Sequence, residues 1–220
     1  MDREKRDFDK EASAWDENPR RVKMAKDIAA AISEEIRLTP DMDVLDFGCG
    51  TGLLALELLP LVRSVVGVDS SQGMLDIFRQ KIAEGRLNNV RVMEIDFERG
   101  DGLQGRYDLA VSSMTLHHIP EIASLLRHIR NVLKPGGYLS VADLDLEEGK
   151  FHTDNTGVFH FGFCREELRQ LFFEAGFEDI RARNAAVVIK QGADGEMKQF
   201  GIFLMTGRKG KARTTRSGAR

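Results

Sequence analysis

The chain has 220 residues, 42% hydrophobic and 30% charged, with 32 Lys and Arg against 35 Asp and Glu for a formal charge of −3. That composition is ordinary for a folded domain and argues against a nucleic-acid partner, and two cysteines build neither a disulfide framework nor a four-ligand zinc site. No secretory leader or membrane anchor is expected, since MDREKRDFDK lacks an apolar core and the greasiest stretch, 53–66, is broken by Glu57, Pro60, Arg63 and Ser64, short of the ~20 residues a span needs.

In chain order, the first feature is a polar leader holding Phe8 and the only tryptophan, Trp15. An exposed Trp is costly, so Trp15 either closes over a ligand or packs beside the next helix. Residues 20–36 place Val22, Ala25, Ile28, Ala29, Ile32 and Ile36 at three- and four-residue spacing, the pattern of one amphipathic helix. Pro19 stands at its start, where a missing N–H costs nothing. Short β-like runs follow at 43–47, 64–68, 90–95, 107–111 and 138–142, with helical stretches at 53–61, 74–83 and 121–133 between them. Strands alternating with helices in this way predict a parallel sheet covered on both faces.

An irregular span, 144–163, then carries Phe151, Phe159, Phe161 and Phe163 and reads as a substrate-facing cover. A helix at 165–175 is stopped by Gly176. The last two runs, 178–189 and 199–206, are separated by the sequence GADGE, a hairpin-length spacer that makes them antiparallel neighbours. From Arg208 onward, RKGKARTTRSGAR has six basic residues and no acid, which predicts a disordered tail. One domain over 1–207 is expected, with a leader and first helix at 1–38, the cover at 144–163 and the tail at 208–220.

The most informative stretch is Val44-Leu45-Asp46-Phe47-Gly48-Cys49-Gly50-Thr51-Gly52, a buried strand running into a glycine turn and a leucine-rich helix. It is neither a Walker A loop, since no Gly-Lys-Ser/Thr follows, nor a dinucleotide fingerprint, since Leu53 stands where that pattern wants glycine. The second strand ends in Asp69, where an acid can take both hydroxyls of a ribose. The third ends in Asp96-Phe97, a carboxylate and an aromatic suited to a base. Three consecutive strands thus deliver glycine backbone and two acids to one crevice, at the strand ends where open α/β sheets bind ligands.

With these motifs, followed by YDLAVSSMTLHHI and LKPGGYLSVADLD, residues 41–145 resemble the class I S-adenosylmethionine-dependent methyltransferases, and the leader Phe8-Asp9-Lys10-Glu11-Ala12-Ser13-Ala14-Trp15-Asp16 is similar to the opening segment of small-molecule members akin to the ubiquinone and menaquinone C-methylating enzymes. The resemblance implies a Rossmann-like α/β fold with a seven-stranded, mostly parallel sheet, an antiparallel last strand and helices on both faces. It implies S-adenosyl-L-methionine as cofactor. Asp46, Gly48, Gly50 and Thr51 would surround its methionine part, with Ser113 at the methionyl end. Asp69 with Ser70 would hold the ribose, Met74 would pack beside the adenine, and Asp96 with Phe97 would take the adenine edge.

The acceptor side is less marked. His117 and His118 follow the fourth predicted strand, and His117 is the candidate general base; the other reading is that one caps a turn and the other faces solvent. His152 and His160, with Asp143 and Asp145, fit no compact ligand spacing, so no metal is expected. The expected activity is methyl transfer to a small-molecule acceptor by a cytoplasmic monomer or homodimer, without a membrane partner. A macromolecular methyltransferase and a non-catalytic cofactor-binding protein are the alternatives; against nucleic-acid amino methylation, Ser-Ser-Met-Thr-Leu stands where Asn/Asp-Pro-Pro-Tyr/Phe would be.

Overall fold

The structure is a computed structural model that describes residues 6–97, 101–191 and 196–211. A one-turn helix, α1 (Phe8–Glu11), and a 3₁₀ turn precede the long helix α2 (Pro19–Glu35). Asn18 caps α2 by accepting from Arg20 N at 3.0 Å, with Pro19 in its first turn. Strand β1 (Asp43–Phe47), helix α3 (Leu53–Leu58), strand β2 (Ser64–Asp69), helix α4 (Gln72–Glu84) and strand β3 (Val90–Glu94) follow. Then come β4 (Tyr107–Ser113), α5 (Ile122–Val132), β5 (Leu133–Leu144), α6 (Arg165–Glu174), β6 (Phe177–Gln191) and β7 (Met197–Lys209).

The seven strands form one sheet in the order β3-β2-β1-β4-β5-β7-β6. All are parallel except β7, which lies antiparallel between β5 and β6. Residues 192–195 of the GADGE spacer lie outside the described residues, and the strands flanking them pair with Gln191 opposite Met197. Alternate residues of each strand serve opposite faces. Val44, Leu109 and Val111 pack with Ile28 and Ile32 of α2 and Phe78 of α4, whereas Leu45, Ala110 and Val141 pack with Leu126 and Ile129 of α5 and Phe172 of α6. Because β1 pairs with both β2 and β4, the chain order reverses there and opens a crevice at the strands' carboxyl ends.

Two boundaries differ from the sequence reading for local reasons. The helix over 121–133 stops at Val132, and β5 begins at Leu133 rather than Tyr138, because Pro135 disfavours helical backbone at Lys134. At the other end, β7 runs two residues into the segment read as a tail. Lys209 Nζ donates to the carbonyls of Arg130 and Leu133 at 2.7 Å each, a cation at the end of α5. Residues 212–220 lie outside the described residues. Among the described residues no helix is long and apolar enough to cross a membrane.

Candidate active site

A cavity of about 720 Å³ occupies the crevice, within the range of small-ligand pockets. All ten residues assigned to the cofactor from sequence line it: Asp46, Gly48, Gly50, Thr51, Asp69, Ser70, Met74, Asp96, Phe97 and Ser113. The turn after β1 places them. Gly48 and Gly50 both have positive φ, at 70° and 51°, yet they serve different ends. A Cβ on Gly48 would run into Thr115 Oγ1 at 2.2 Å, so the first glycine lets the turn pack against the end of β4. A Cβ on Gly50 would meet only Met74 Sδ, 4.0 Å away, and would otherwise occupy cavity. Gly50→Ala should therefore cost only about 1–2 kcal/mol of stability from its left-handed backbone while weakening cofactor binding about tenfold or more. Gly48→Ala should do the reverse. Calorimetry and thermal melts on the two variants check the contrast.

Asp69 organises the turn. Its Oδ2 accepts from Gly50 N at 2.8 Å and its Oδ1 from Ser71 N at 2.9 Å, leaving lone pairs on both oxygens for a ligand. Burial raises its carboxyl above the usual range despite these bonds. Asp46 is more completely enclosed, and its Oδ2 has no hydrogen-bond partner among the described residues. Burial first, and then the Asp69 charge, push it up to about 7. A cationic ligand group would draw that value down and release a proton. At the base end, Phe97 packs against Phe47 at 5.4 Å and His128 at 5.5 Å.

Leader and cover form part of the remaining wall, Phe8 and Trp15 from one and Phe151, His152 and Phe159 from the other. Asp9 Oδ1 accepts from Ser71 Oγ at 2.6 Å and from Gly73 N at 2.8 Å. Thr51 Oγ1 donates to Asp16 at 2.6 Å, and Lys81 pairs with the same carboxylate. Leader meets cover where Arg6 Nη1 donates to His152 Nδ1 at 3.1 Å. Trp15 packs beside α2 with the Arg21 guanidinium 3.6 Å over its ring, and it also lines the cavity.

The histidines are arranged otherwise than expected. His117 is fully buried and does not line the cavity. Its Nδ1 lies 2.7 Å from Asp143 Oδ1 and its Nε2 3.1 Å from His152 Nε2, so both nitrogens of the candidate base are engaged by other side chains. The 3₁₀ turn Leu116–His118 aims it inward toward β5 and puts His118 on the cavity wall instead. The tautomers follow from the partners. Arg6 can only donate, so His152 Nε2 carries the proton and donates to His117 Nε2, and His117 Nδ1–H donates to Asp143. His118 Nδ1–H donates to Gly157 O at 2.7 Å, which leaves a lone pair on Nε2.

His117, His118 and His152 also bring one nitrogen each within 4.8 Å of one another, a spread that could hold a metal ion. No local spacing announces this, because His152 arrives from the cover. The Arg6 bond opposes it, since the His152 nitrogen a metal would need is the one that carries the proton. His160 lies apart, bonded to Ile119 O at 3.0 Å.

Comparison with known proteins agrees with this geometry. Residues 44–137 match a family described as a methyltransferase domain. Residues 44–137 thus form a methyltransferase domain. It is 34% identical over 168 residues to an uncharacterized methyltransferase of Schizosaccharomyces pombe, covering 70% of this chain and 57% of that protein. It is 33% identical over 113 residues to a 2-phytyl-1,4-naphtoquinone methyltransferase of Synechococcus elongatus, covering 48% of this chain and 47% of that one. The chain thus spans about half the length of these curated relatives. Among solved structures, the YcgJ protein of Bacillus subtilis shares the fold with a TM-score of 0.66 at 17% identity, covering 84% of this chain and 98% of that one.

Proposed function

We propose that this domain transfers the methyl group of S-adenosylmethionine to a small-molecule acceptor in the cytoplasm, with His118 as the proton acceptor. The observation that carries the reading is one cavity with an acid-lined glycine turn at one end and, on another wall, an imidazole with a free lone pair. The residues fit the cofactor. The partnerless Asp46 oxygen suits its ammonium group, the open side of Gly50 gives it backbone approach, and the spare lone pairs of Asp69 suit a pair of ribose hydroxyls. Met74 and Phe97 offer apolar contact for the adenine, and Asp96 an acceptor beside it.

When bound, the cofactor supplies an electrophilic methyl group on a positively charged sulfur. The protein then has to position the acceptor, exclude water and take a proton where the acceptor loses one. Leader and cover supply the first two tasks, and their meeting over the cavity favours a small acceptor over a macromolecule. His118 supplies the third. Burial first, and the neighbouring His117 second, lower it to about 4, so it is neutral at pH 7 and free to accept. Asp143, His117 and His152 act as positioning residues that hold its surroundings in one tautomeric state. Both cysteines are free thiols, in keeping with a reducing compartment.

The test is transfer of labelled methyl groups across a panel of phenols, quinols, amines and carboxylic acids. His118→Asn keeps a donor for Gly157 O and should lower kcat by about 10²–10⁴ with cofactor affinity unchanged. Transfer to no acceptor, with normal cofactor binding, would identify a cofactor-binding protein instead.

A further inference from the structure

The cavity is electrically divided. Asp46, Asp69 and Asp96 stand at the cofactor end, whereas Arg6, Arg20, Arg21 and Lys190 converge on the wall formed by the leader, α2 and the end of β6. Opposite charge is scarce around those four cations. Arg6 and Arg21 share one carboxylate, Glu11, at 2.7 and 3.4 Å. Arg20 donates to the Ile189 carbonyl, at 3.4 Å. Lys190 donates to the Phe151 carbonyl and lies 4.4 Å over the Phe151 ring. Neither Arg20 nor Lys190 has a carboxylate at ion-pair distance among the described residues.

Mutual repulsion makes this arrangement costly to leave unanswered. Lys190 is half-buried, and burial lowers its ammonium pKa first, followed by the charges of Arg20, Arg6 and Arg21, with Glu147 the opposing carboxylate. The same field reaches His152, where burial first, then His117 and His118, and then Arg6 and Lys190 oppose a positive charge. Surface cations of this kind are usually solvated. These line a cavity whose other walls here are the rings of Phe8, Trp15 and Phe151, so a ligand anion is the group that would complete the site.

We propose that the methyl acceptor carries an acidic head group, a carboxylate or a phosphate, seated between Lys190 and Arg20 with its body against Phe8, Phe151 and His118. The proposal rests on the reading of this cavity as a methyl-acceptor site and names the acceptor's chemical class. An anion there would also favour the protonated form of His118 and so strengthen it as a proton acceptor.

The probes are benzoate, phenylphosphate and the neutral benzamide, titrated into the full chain with and without S-adenosylhomocysteine and followed by Trp15 fluorescence and calorimetry. At least one anion should bind more tightly than benzamide by about tenfold. Benzoate alone identifies a carboxylate head and phenylphosphate alone a phosphate; either outcome, or both, supports the proposal. Lys190→Gln and Arg20→Gln should each weaken the anion about tenfold, and Lys190→Arg should restore it. Thermal melts and S-adenosylhomocysteine affinity report whether the variants remain folded. Anions that bind no better than benzamide, fail to bind at about 10 mM, or ignore both glutamine variants overturn the proposal. Failure of S-adenosylhomocysteine itself to bind instead overturns the methyl-transfer reading, and leaves the anion measurement to stand by itself.

Discussion

Asp69→Ala should weaken cofactor binding by about a hundredfold or more while moving the unfolding temperature by only a few degrees. A hydrogen bond to a charged acceptor is worth about 1.5–3 kcal/mol, so losing a paired contact to two hydroxyls removes about 3–6 kcal/mol, two to four orders of magnitude in affinity. The stability ledger is smaller because two effects oppose. The variant frees Gly50 N and Ser71 N, now held at 2.8 and 2.9 Å, at a cost of about 1–3 kcal/mol for each donor left unsatisfied. It also relieves a buried carboxylate whose raised pKa marks its ionised form as disfavoured by the fold. The sign of the pH dependence follows. An acid raised in the folded state subtracts stability as pH climbs past its unfolded value near 4, so the variant gains on the native chain as pH rises from there through the raised folded-state value. Asp46 should fall below about 7 in the variant, because Asp69 is the second cause of its elevation. Calorimetry with S-adenosylhomocysteine, beside melts at pH 6 and 8, checks both halves. Native affinity in a folded variant would place the ribose contact elsewhere.

The cofactor half of this site is legible in sequence because it is built from strand ends. A parallel strand must be buried, so Val44–Phe47 and Val65–Val68 read as β from composition alone. The residue that follows each is then delivered to one crevice by topology. No long-range contact has to be guessed, and all ten assigned residues reach the cavity. The histidine-lined half is opaque for the opposite reason. Adjacent residues in a 3₁₀ turn point to different sides, and the inward-turned His117 is held by Asp143, 26 residues further on. His152 lies 35 residues from His117, and Lys190 sits 39 residues beyond Phe151. These partners meet through an irregular cover that carries no periodicity. The leader is intermediate: its aromatics mark it as something more than solvated coil, but its anchors, Asp9 on Ser71 and Asp16 on Thr51, join segments 62 and 35 residues apart.

Deleting residues 1–16 should lower kcat by about a hundredfold or more while changing fold stability by only about 1–3 kcal/mol. The stability cost is small because the leader adds little to the core, with Ala12 its buried apolar residue. Its main ties are hydrogen bonds accepted by Asp9 and Asp16 and the Arg21–Trp15 stack, each worth about 1 kcal/mol against the entropy of ordering the described leader. Helix α2 keeps its own buried face of Ala25, Ile28, Ala29 and Ile32 and its Asn18 cap. Catalysis loses more, because the deletion opens the wall that Phe8 and Trp15 close and admits water beside the reacting groups. It also removes Arg6, whose donation to His152 fixes the tautomer on which the His117–Asp143 chain depends. The leader's seat on the cover is close: Gly157 has φ of +69°, and a Cβ there would lie 2.5 Å from Arg6 N. Gly157→Ala should therefore reproduce part of the deletion phenotype by lifting the leader without removing it. In the full chain, cofactor addition should quench or blue-shift the Trp15 emission as that wall tightens. A truncated protein with native kcat, or Trp15 emission indifferent to both cofactor and the Gly157 substitution, would reduce the leader to packing for α2.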